Sequence, residues 1–304
     1  MKWIVGVSLA AVFVGMAATM TIPAQTITPD QGILRLFPPE TQGIAVFDVA
    51  ALRSAPLVQE ALAQRAFPPR LADRLGELEA ATGFRPERDV DRVTVGRLGA
   101  REIVAIAEAR YDKFKFEQFL NDKGLQSEAQ MGRTVYSHDK FGVSFIDNLI
   151  IAGNYNGVKK AIEQLSLPGG VVLRSDLVNT IRTIESGNQV WAAGQFSIDQ
   201  LPPGAPAPAV ELLRTLQGGT FQMRVDQDVH ARATGSFSNA DNAKTISDMA
   251  RGVIALAKFR VASQPDLLHA LDGVQIQNSG SSVVVNIEEP GDLLKRLRDS
   301  RLRQ

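Results

Sequence analysis

The order of strands and helices predicted for the first half of the chain recurs in the second half. In each half a strand is followed by a helix, a hairpin, a second helix, a further pair of strands and a closing helix. The last strand and closing helix of the two halves, 151–165 (IAGNYNGVKKAIEQL) and 283–297 (VVVNIEEPGDLLKRL), align without a gap. This repetition predicts a chain that folds as two copies of one structural unit.

Tight turns join successive predicted strands in both halves. In the first half the strand over 90–95 is joined to the strand over 103–109 by a short turn, and in the second half a hairpin covers 220–237. Helices predicted at 112–124 and 240–259 follow the two hairpins. Asp112 is a candidate N-cap of the first helix, and Phe116, Phe119 and Leu120 lie at i, i+3 and i+4 within it, a spacing typical of core residues. Strands joined by tight turns pair antiparallel. The sequence therefore predicts an α+β protein of two similar units, each a largely antiparallel sheet with helices packed on one face.

The N-terminus carries an apolar run that is typical of a targeting segment. Lys2 is followed by an uncharged stretch from Trp3 to Ile22 that is rich in Val, Ala, Leu, Ile and Met. About 20 apolar residues are also enough to span a bilayer, so a cleaved signal peptide and a retained signal anchor are both open. Lys2 places the start of the chain on the cytoplasmic side and the rest outside. We expect an exported protein, periplasmic or secreted, or one tethered to the inner membrane by residues 3–22.

These features divide the chain into four segments. We predict a signal peptide or signal anchor over 1–24, a spacer over 25–42, a first α+β unit over 43–168 and a second α+β unit over 169–304. The spacer is assigned because this stretch is polar with scattered apolar residues, and Pro38-Pro39 stop a helix. Membrane contact is expected only through the N-terminal segment, if it is not cleaved.

Charge and cysteine content exclude several classes of function. The chain has 33 basic and 33 acidic side chains and a formal net charge of zero, so no overall field draws it to nucleic acid. We therefore expect no nucleic-acid partner. The sequence has no cysteine, which excludes disulfides, thiolate metal sites, iron–sulfur clusters and cysteine nucleophiles.

Motifs for metal, nucleotide and serine chemistry are missing from the sequence. The three histidines, His138, His230 and His269, fall in distant segments, and no H-x-H or H-E-x-x-H spacing occurs. Neither G-x-S-x-G nor a phosphate-binding glycine loop is present. The sequence therefore predicts no catalytic, cofactor-binding or metal-binding residue, and no cofactor.

Carboxylate pairs leave one enzymatic alternative open. Asp226 and Asp228 flank a predicted hairpin turn, where aspartate is common for reasons of turn geometry. Glu288 and Glu289 precede Pro290 at a predicted helix start, where negative charge favours the helix dipole. Acid–base catalysis needs only two well-placed carboxyl groups, and sequence spacing does not reveal which ones meet. A hydrolase that uses dispersed carboxylates is thus an alternative.

Two short runs carry a resemblance to a group of proteins. The runs 43–49 (GIAVFDV) and 189–195 (QVWAAGQ), within the repeated pattern that follows the export signal, resemble uncharacterised bacterial exported proteins with duplicated α+β units. The resemblance spans most of the chain after residue 24 and brings no catalytic residues with it.

These observations together favour a non-enzymatic protein of the bacterial cell envelope. It would act by binding or scaffolding through a sheet face or the groove between the units, with an unknown protein or an apolar ligand as its partner. A carrier of an apolar ligand such as lipid is the other alternative beside the hydrolase.

Overall fold

One continuous antiparallel sheet forms the framework of the protein. The computed structural model describes residues 31–63, 69–99, 102–167, 173–195 and 214–301, and the predicted signal segment, 1–24, lies outside the described residues. The strands are β1 (Gly43–Asp48), β2 (Val90–Arg97), β3 (Ile103–Ala109), β4 (Gln126–Gln130), β5 (Arg133–His138), β6 (Phe141–Ile146), β7 (Leu149–Asn154), β8 (Val190–Gly194), β9 (Leu216–Val225), β10 (Val229–Phe237), β11 (Val274–Ser279) and β12 (Ser282–Glu289). They lie in the order β11-β12-β10-β9-β8-β1-β2-β3-β7-β6-β5-β4.

Helices connect these strands and cover the sheet. The described helices are α1 (Gln31–Leu34), α2 (Val49–Arg53), α3 (Pro56–Ala63), α4 (Pro69–Thr82), α5 (Pro86–Asp89), α6 (Lys113–Asp122), α7 (Tyr155–Leu165), α8 (Ser175–Ile181), α9 (Ala240–Arg260), α10 (Pro265–Asp272) and α11 (Gly291–Arg301). None of them has the length and apolar content that a bilayer-spanning helix needs. The predicted α+β class is confirmed, as is the antiparallel pairing that the tight turns indicated.

The two halves of the chain meet at the centre of the sheet. β1 and β8, the first strands of the two halves, pair antiparallel, with Gly43 opposite Gly194 and Phe47 opposite Val190. Outward from this pair, β2 and β3 follow on one side, and β9 and β10 follow on the other. The two predicted sheets are therefore joined edge to edge into one.

The central strands are apolar on both faces, and helices cover both. We call the face of the sheet to which Ala105 and Ala107 of β3 project face A, and the opposite face, to which Val104 and Ile106 project, face B. All four residues are buried. Face A packs against α2, α3, α4 and α6, and face B against α1, α7 and α8. The sequence predicted helices on one face only. The difference arises because a strand with apolar residues at consecutive positions must be shielded from water on both sides.

The stretch before β1 belongs in part to the core, contrary to the predicted spacer over 25–42. From Gln31 onward it forms α1 and a following turn, and Phe37 is fully buried in the face B core. The ring of Phe37 lies directly over Gly96, where an added Cβ would be 2.3 Å from the ring. The apolar residues Ile33, Leu36 and Phe37 recur at three- and four-residue intervals, so they share one side of the turn and face the sheet.

The structure contains the helix start and the buried apolar positions that the sequence indicates for α6. Asp112, a predicted N-cap, accepts a hydrogen bond from the backbone N–H of Lys115 at 3.2 Å. The helix that it begins, α6, buries Phe116, Phe119 and Leu120, as their spacing predicted. Caps and apolar spacing act within a few residues, so a single sequence reveals them.

The closing helices of the two halves pack on opposite faces. α7 buries Val158 and Ile162 in the face B core, whereas Leu294 of α11 packs with Val225 on face A. The gapless alignment pairs Ile151 with Val283, but Ile151 projects to face B and Val283 packs under α9 on face A. The two segments therefore do not superpose residue by residue. Because α11 lies on face A, α8 is the one described helix over face B of β8 to β10.

Candidate functional site, a polar groove on face B

An open groove lies on face B beside α8. Its volume is about 910 Å³, within the range of about 300–1,000 Å³ that is usual for ligand sites. One wall is α8 with the residues that flank it, and the floor is formed by β9 and β10. Its lining includes the polar side chains Arg174, Asp176, Glu185, Thr220, Gln222, Arg232, Thr234 and Ser236.

Hydroxyl groups cover the centre of the groove floor. Thr220 of β9 lies directly opposite Thr234 of β10, and Ser236 lies opposite Gly218. Side chains alternate along a strand, so Phe221, between Thr220 and Gln222, packs on face A. The hydroxyls of Thr220, Thr234 and Ser236 make no hydrogen bond to any described residue. These groups are available to a ligand.

Gln222 is held in a fixed orientation at one end of the floor. Its side chain is buried, and its Oε1 accepts hydrogen bonds from the backbone N–H of Glu185 at 2.9 Å and from Nδ2 of Asn188 at 3.1 Å. The amide group is thereby oriented, because the oxygen is fixed by two donors. Its NH2 group has no partner within the described part of the chain, so it offers two donors to the groove.

The charged groups of the groove neutralise one another. Arg174 pairs with Asp176 at 2.6 Å, and Arg232 pairs with Glu185 at 2.9 Å. The hydrogen bond from Arg174 lowers the pKa of the Asp176 carboxyl below its ordinary value. Two cations and two anions give these four side chains no net charge. The described part of the site therefore presents hydrogen-bonding groups without an excess of either sign of charge.

Sequence reasoning did not find this groove. Polar and apolar residues alternate strictly in β9, where Thr220 and Gln222 are interleaved with Phe221 and Met223. Such alternation indicates a strand with one solvated face. It does not distinguish a ligand site from ordinary surface, since the distinction depends on which helices cover that face.

The histidines and carboxylates that the sequence analysis considered lie elsewhere. His138, His230 and His269 fall on β5, β10 and α10, and the described residues contain no group of three or more side chains that could hold a metal ion. Asp226 pairs with Arg224 at 3.1 Å, and Asp228 accepts a hydrogen bond from the backbone N–H of Gly291 at 3.1 Å. Both aspartates thus have structural partners.

Two buried carboxyl groups lie away from the groove. Burial raises the pKa of Asp48, whose Oδ1 accepts a hydrogen bond from the backbone N–H of Ala51 at 2.8 Å and so caps α2. Burial also raises the pKa of Glu289, which nearby His269 partly offsets. Glu289 Oε2 is buried without a described hydrogen-bond partner. An unpaired buried carboxylate costs stability when it is ionised.

Replacing Glu289 with glutamine should stabilise the protein at neutral pH. Because the pKa of Glu289 is raised in the folded state, folding favours its protonated form. The stability that this carboxyl contributes is full below its unfolded-state pKa and is lost as pH rises through the folded-state value. The variant should therefore have a higher Tm than wild type at pH 7, and the difference should shrink toward pH 4.

Thermal unfolding from pH 4 to pH 8 checks this expectation. Glu288→Gln is the matched control, because Glu288 is exposed and adjacent in β12. If the Tm difference between Glu289→Gln and wild type stayed constant with pH, it would contradict the inference that ionisation of Glu289 destabilises the folded protein.

A smaller and more apolar cavity lies at one edge of the sheet. It measures about 410 Å³ and lies between α9 and β11, with Ile254, Val274 and Ile276 among its lining residues. The nearby outer surface of α9 exposes Leu256 and Phe259, with Phe259 80% exposed. This region exposes large apolar side chains, whereas the described side chains on the floor of the face B groove are polar.

The fold and the groove together define an α+β protein with a ligand-sized cleft on a single antiparallel sheet. No protein-family model and no curated protein matches the chain. Crystal form III of TP0453, a Treponema protein, has a similar fold, with a TM-score of 0.51 and 13% identity over 88% of this chain and 97% of that one. Crystal forms I and IV of TP0453 give a TM-score of 0.48 each, at 10% and 11% identity. At this identity the likeness to form III shows a shared fold.

Proposed function

We propose that this chain is a non-enzymatic protein of the bacterial cell envelope that binds its ligand in the groove on face B. The observation that carries the proposal is the set of hydroxyls of Thr220, Thr234 and Ser236 on the groove floor, which have no hydrogen-bond partner among the described residues. Unpaired polar groups in a concave site are what a ligand satisfies. The apolar run from Trp3 to Ile22 supports the location.

The state of the carboxyl groups supports binding over hydrolysis. A general acid that works near neutral pH needs a raised pKa, whereas the pKa of Asp176 in the groove is lowered by Arg174. Among the described residues, the carboxyls with raised pKa are Asp48 and Glu289, and neither lines the groove. Substrate turnover by the purified protein that disappears when one carboxylate is changed would contradict a purely binding role.

A fragment screen by protein-observed NMR tests the location of binding. Separate pools of uncharged, anionic and cationic fragments would be added to the full chain. We expect fragments to shift the backbone amides of 218–222 and 232–236, and the double variant Thr220→Val, Thr234→Val to lose these shifts, because valine keeps the shape of threonine without its hydroxyl.

Thr245→Val is the control for this screen, since Thr245 is exposed on α9 and its hydroxyl donates to the carbonyl of Asp241. It should leave the shifts at 218–222 unchanged. Shifts that gather on α9 and β11 in place of the groove would contradict the proposal.

A carrier of an apolar ligand is the second candidate. It is favoured by the cavity of about 410 Å³ beside Ile254 and Ile276 and by the exposure of Leu256 and Phe259. Mass spectrometry of an organic extract of the purified protein tests it. A lipid recovered in equal molar amount would support this candidate, and an extract without lipid would contradict it.

We also propose that the two halves, 43–168 and 169–304, derive from one duplicated unit. The order of the first three strands outward from the centre, the same in each half, supports this origin. The opposite packing of α7 and α11 would then be a later divergence, and it left α8 as the one described helix beside the groove.

A further inference from the structure

The charge of the groove selects against ions. Among the described residues, the four charged side chains that line it form two ion pairs, Arg174 with Asp176 and Arg232 with Glu185. An anionic or cationic ligand would have to compete with an existing partner for each of these groups. A neutral ligand leaves both pairs intact and meets no net field.

The uncharged groups of the floor match a ligand rich in hydroxyls. A hydroxyl both donates and accepts, so Thr220, Thr234 and Ser236 can each do either. The NH2 group of Gln222 adds two donors, since its oxygen is already occupied by the N–H of Glu185 and by Asn188. Ligand hydroxyls have the same dual capacity and can satisfy every one of these groups.

The position of the groove on a sheet face favours a glycan over a peptide. Extended peptides bind at sheet edges through free backbone groups, and other peptides bind in apolar or aromatic grooves. Here β9 is paired on both sides, with β8 and with β10, so its backbone groups are already used. A ligand on this face meets side chains, as oligosaccharides do on the strand faces of some β-barrels.

From these observations we infer that the groove binds a neutral, hydroxyl-rich glycan segment, with Thr220, Thr234, Ser236 and Gln222 as its hydrogen-bonding floor. This inference rests on the proposed function and names its ligand class. The volume of about 910 Å³ admits several sugar rings.

Calorimetric titration of the full chain tests the inference. The probes are two neutral tetrasaccharides, maltotetraose and the tetramer of N-acetylglucosamine, and one anionic tetrasaccharide, tetragalacturonate. At least one neutral probe should bind, with a Kd that stays constant between about 50 mM and 500 mM NaCl, because screening affects only charged ligands. Tetragalacturonate should bind more weakly than that probe.

Two variants link the binding to the named groups. Thr234→Val should lower the affinity for the neutral probe by about threefold to tenfold, the usual loss for one hydrogen bond. Thr245→Val should leave this affinity unchanged. Glu185→Gln leaves Arg232 without its partner and gives the groove a net positive charge. This variant should gain affinity for tetragalacturonate by at least about twofold, and the gain should vanish in high salt.

The outcomes separate this inference from the proposed function. Preference of the wild-type protein for tetragalacturonate, or failure of both neutral probes while NMR fragments still occupy the groove, would overturn the ligand class alone. If neither the fragments nor the tetrasaccharides bound in the groove, both the ligand class and the proposed function would be overturned. Thermal unfolding of Thr234→Val shows whether the variant is folded, and Glu185→Gln, an exposed substitution, provides an independent readout.

Discussion

Phe37→Ala should lower the free energy of unfolding by about 3–5 kcal/mol, the usual cost of removing a buried phenylalanine ring. Phe37 is fully buried, and its ring rests on Gly96 in the face B core. Truncation leaves a cavity that the rigid sheet below does not fill. Urea denaturation of the purified variant, followed by circular dichroism, measures the change.

Phe114→Ala is the matched control for this experiment. Phe114 lies on α6 and is 73% exposed, so its loss should change the free energy of unfolding by no more than about 0.5 kcal/mol. Equal changes in the free energy of unfolding for the two variants would mean that Phe37 contributes no more to the core than a surface residue. That result would favour the spacer that the sequence predicted.

Gly194→Ala should destabilise the protein by about 3–5 kcal/mol, the sum of backbone strain and overpacking. Gly194 ends β8 with φ +142°, a conformation that other residues rarely adopt, and an added Cβ would lie 2.4 Å from Gln42 O and from Gly43 Cα. Both are backbone atoms of the strand entry opposite, so relief requires β1 and β8 to separate. Denaturant unfolding and hydrogen exchange at Ile44 and Val46 would report this.

Gly76→Ala is the matched control, because the same substitution is expected to stabilise the protein at that position. Gly76 lies on the exposed side of α4, and an added Cβ would meet nothing within 4 Å. Alanine should therefore stabilise the helix by about 0.5–1 kcal/mol. If Gly194→Ala were as mild as Gly76→Ala, the close approach of β1 and β8 at that point would be refuted.

Features that depend on neighbouring residues could be predicted from the sequence. The hairpin over 220–237 and the cap at Asp112 each involve a few contiguous residues, and the structure has both. The pairing of β1 with β8 joins Gly43 to Gly194, about 150 positions later. No local pattern specifies that pairing, so the sequence indicated two sheets where the structure has one.

The groove was not predictable, for a related reason. Thr220 and Thr234 alternate with apolar neighbours as they would in any half-exposed strand. What makes them a site is the packing of α11 on face A, because it leaves α8 as the one described helix over that part of face B. The alignment of Ile151 with Val283 would place α7 and α11 on the same face of the sheet, whereas the structure places them on opposite faces.

The central position of β1 and β8 also constrains how the protein can fold. As the chain is synthesised, β1 emerges about 150 residues before its partner β8, so one side of β1 has unsatisfied backbone groups during that interval. An unpaired strand edge of this kind is a site for misassociation. Closing a loop of such length slows folding, so completion of the sheet, and with it the formation of the groove, is expected to be a late step that requires nearly the whole chain.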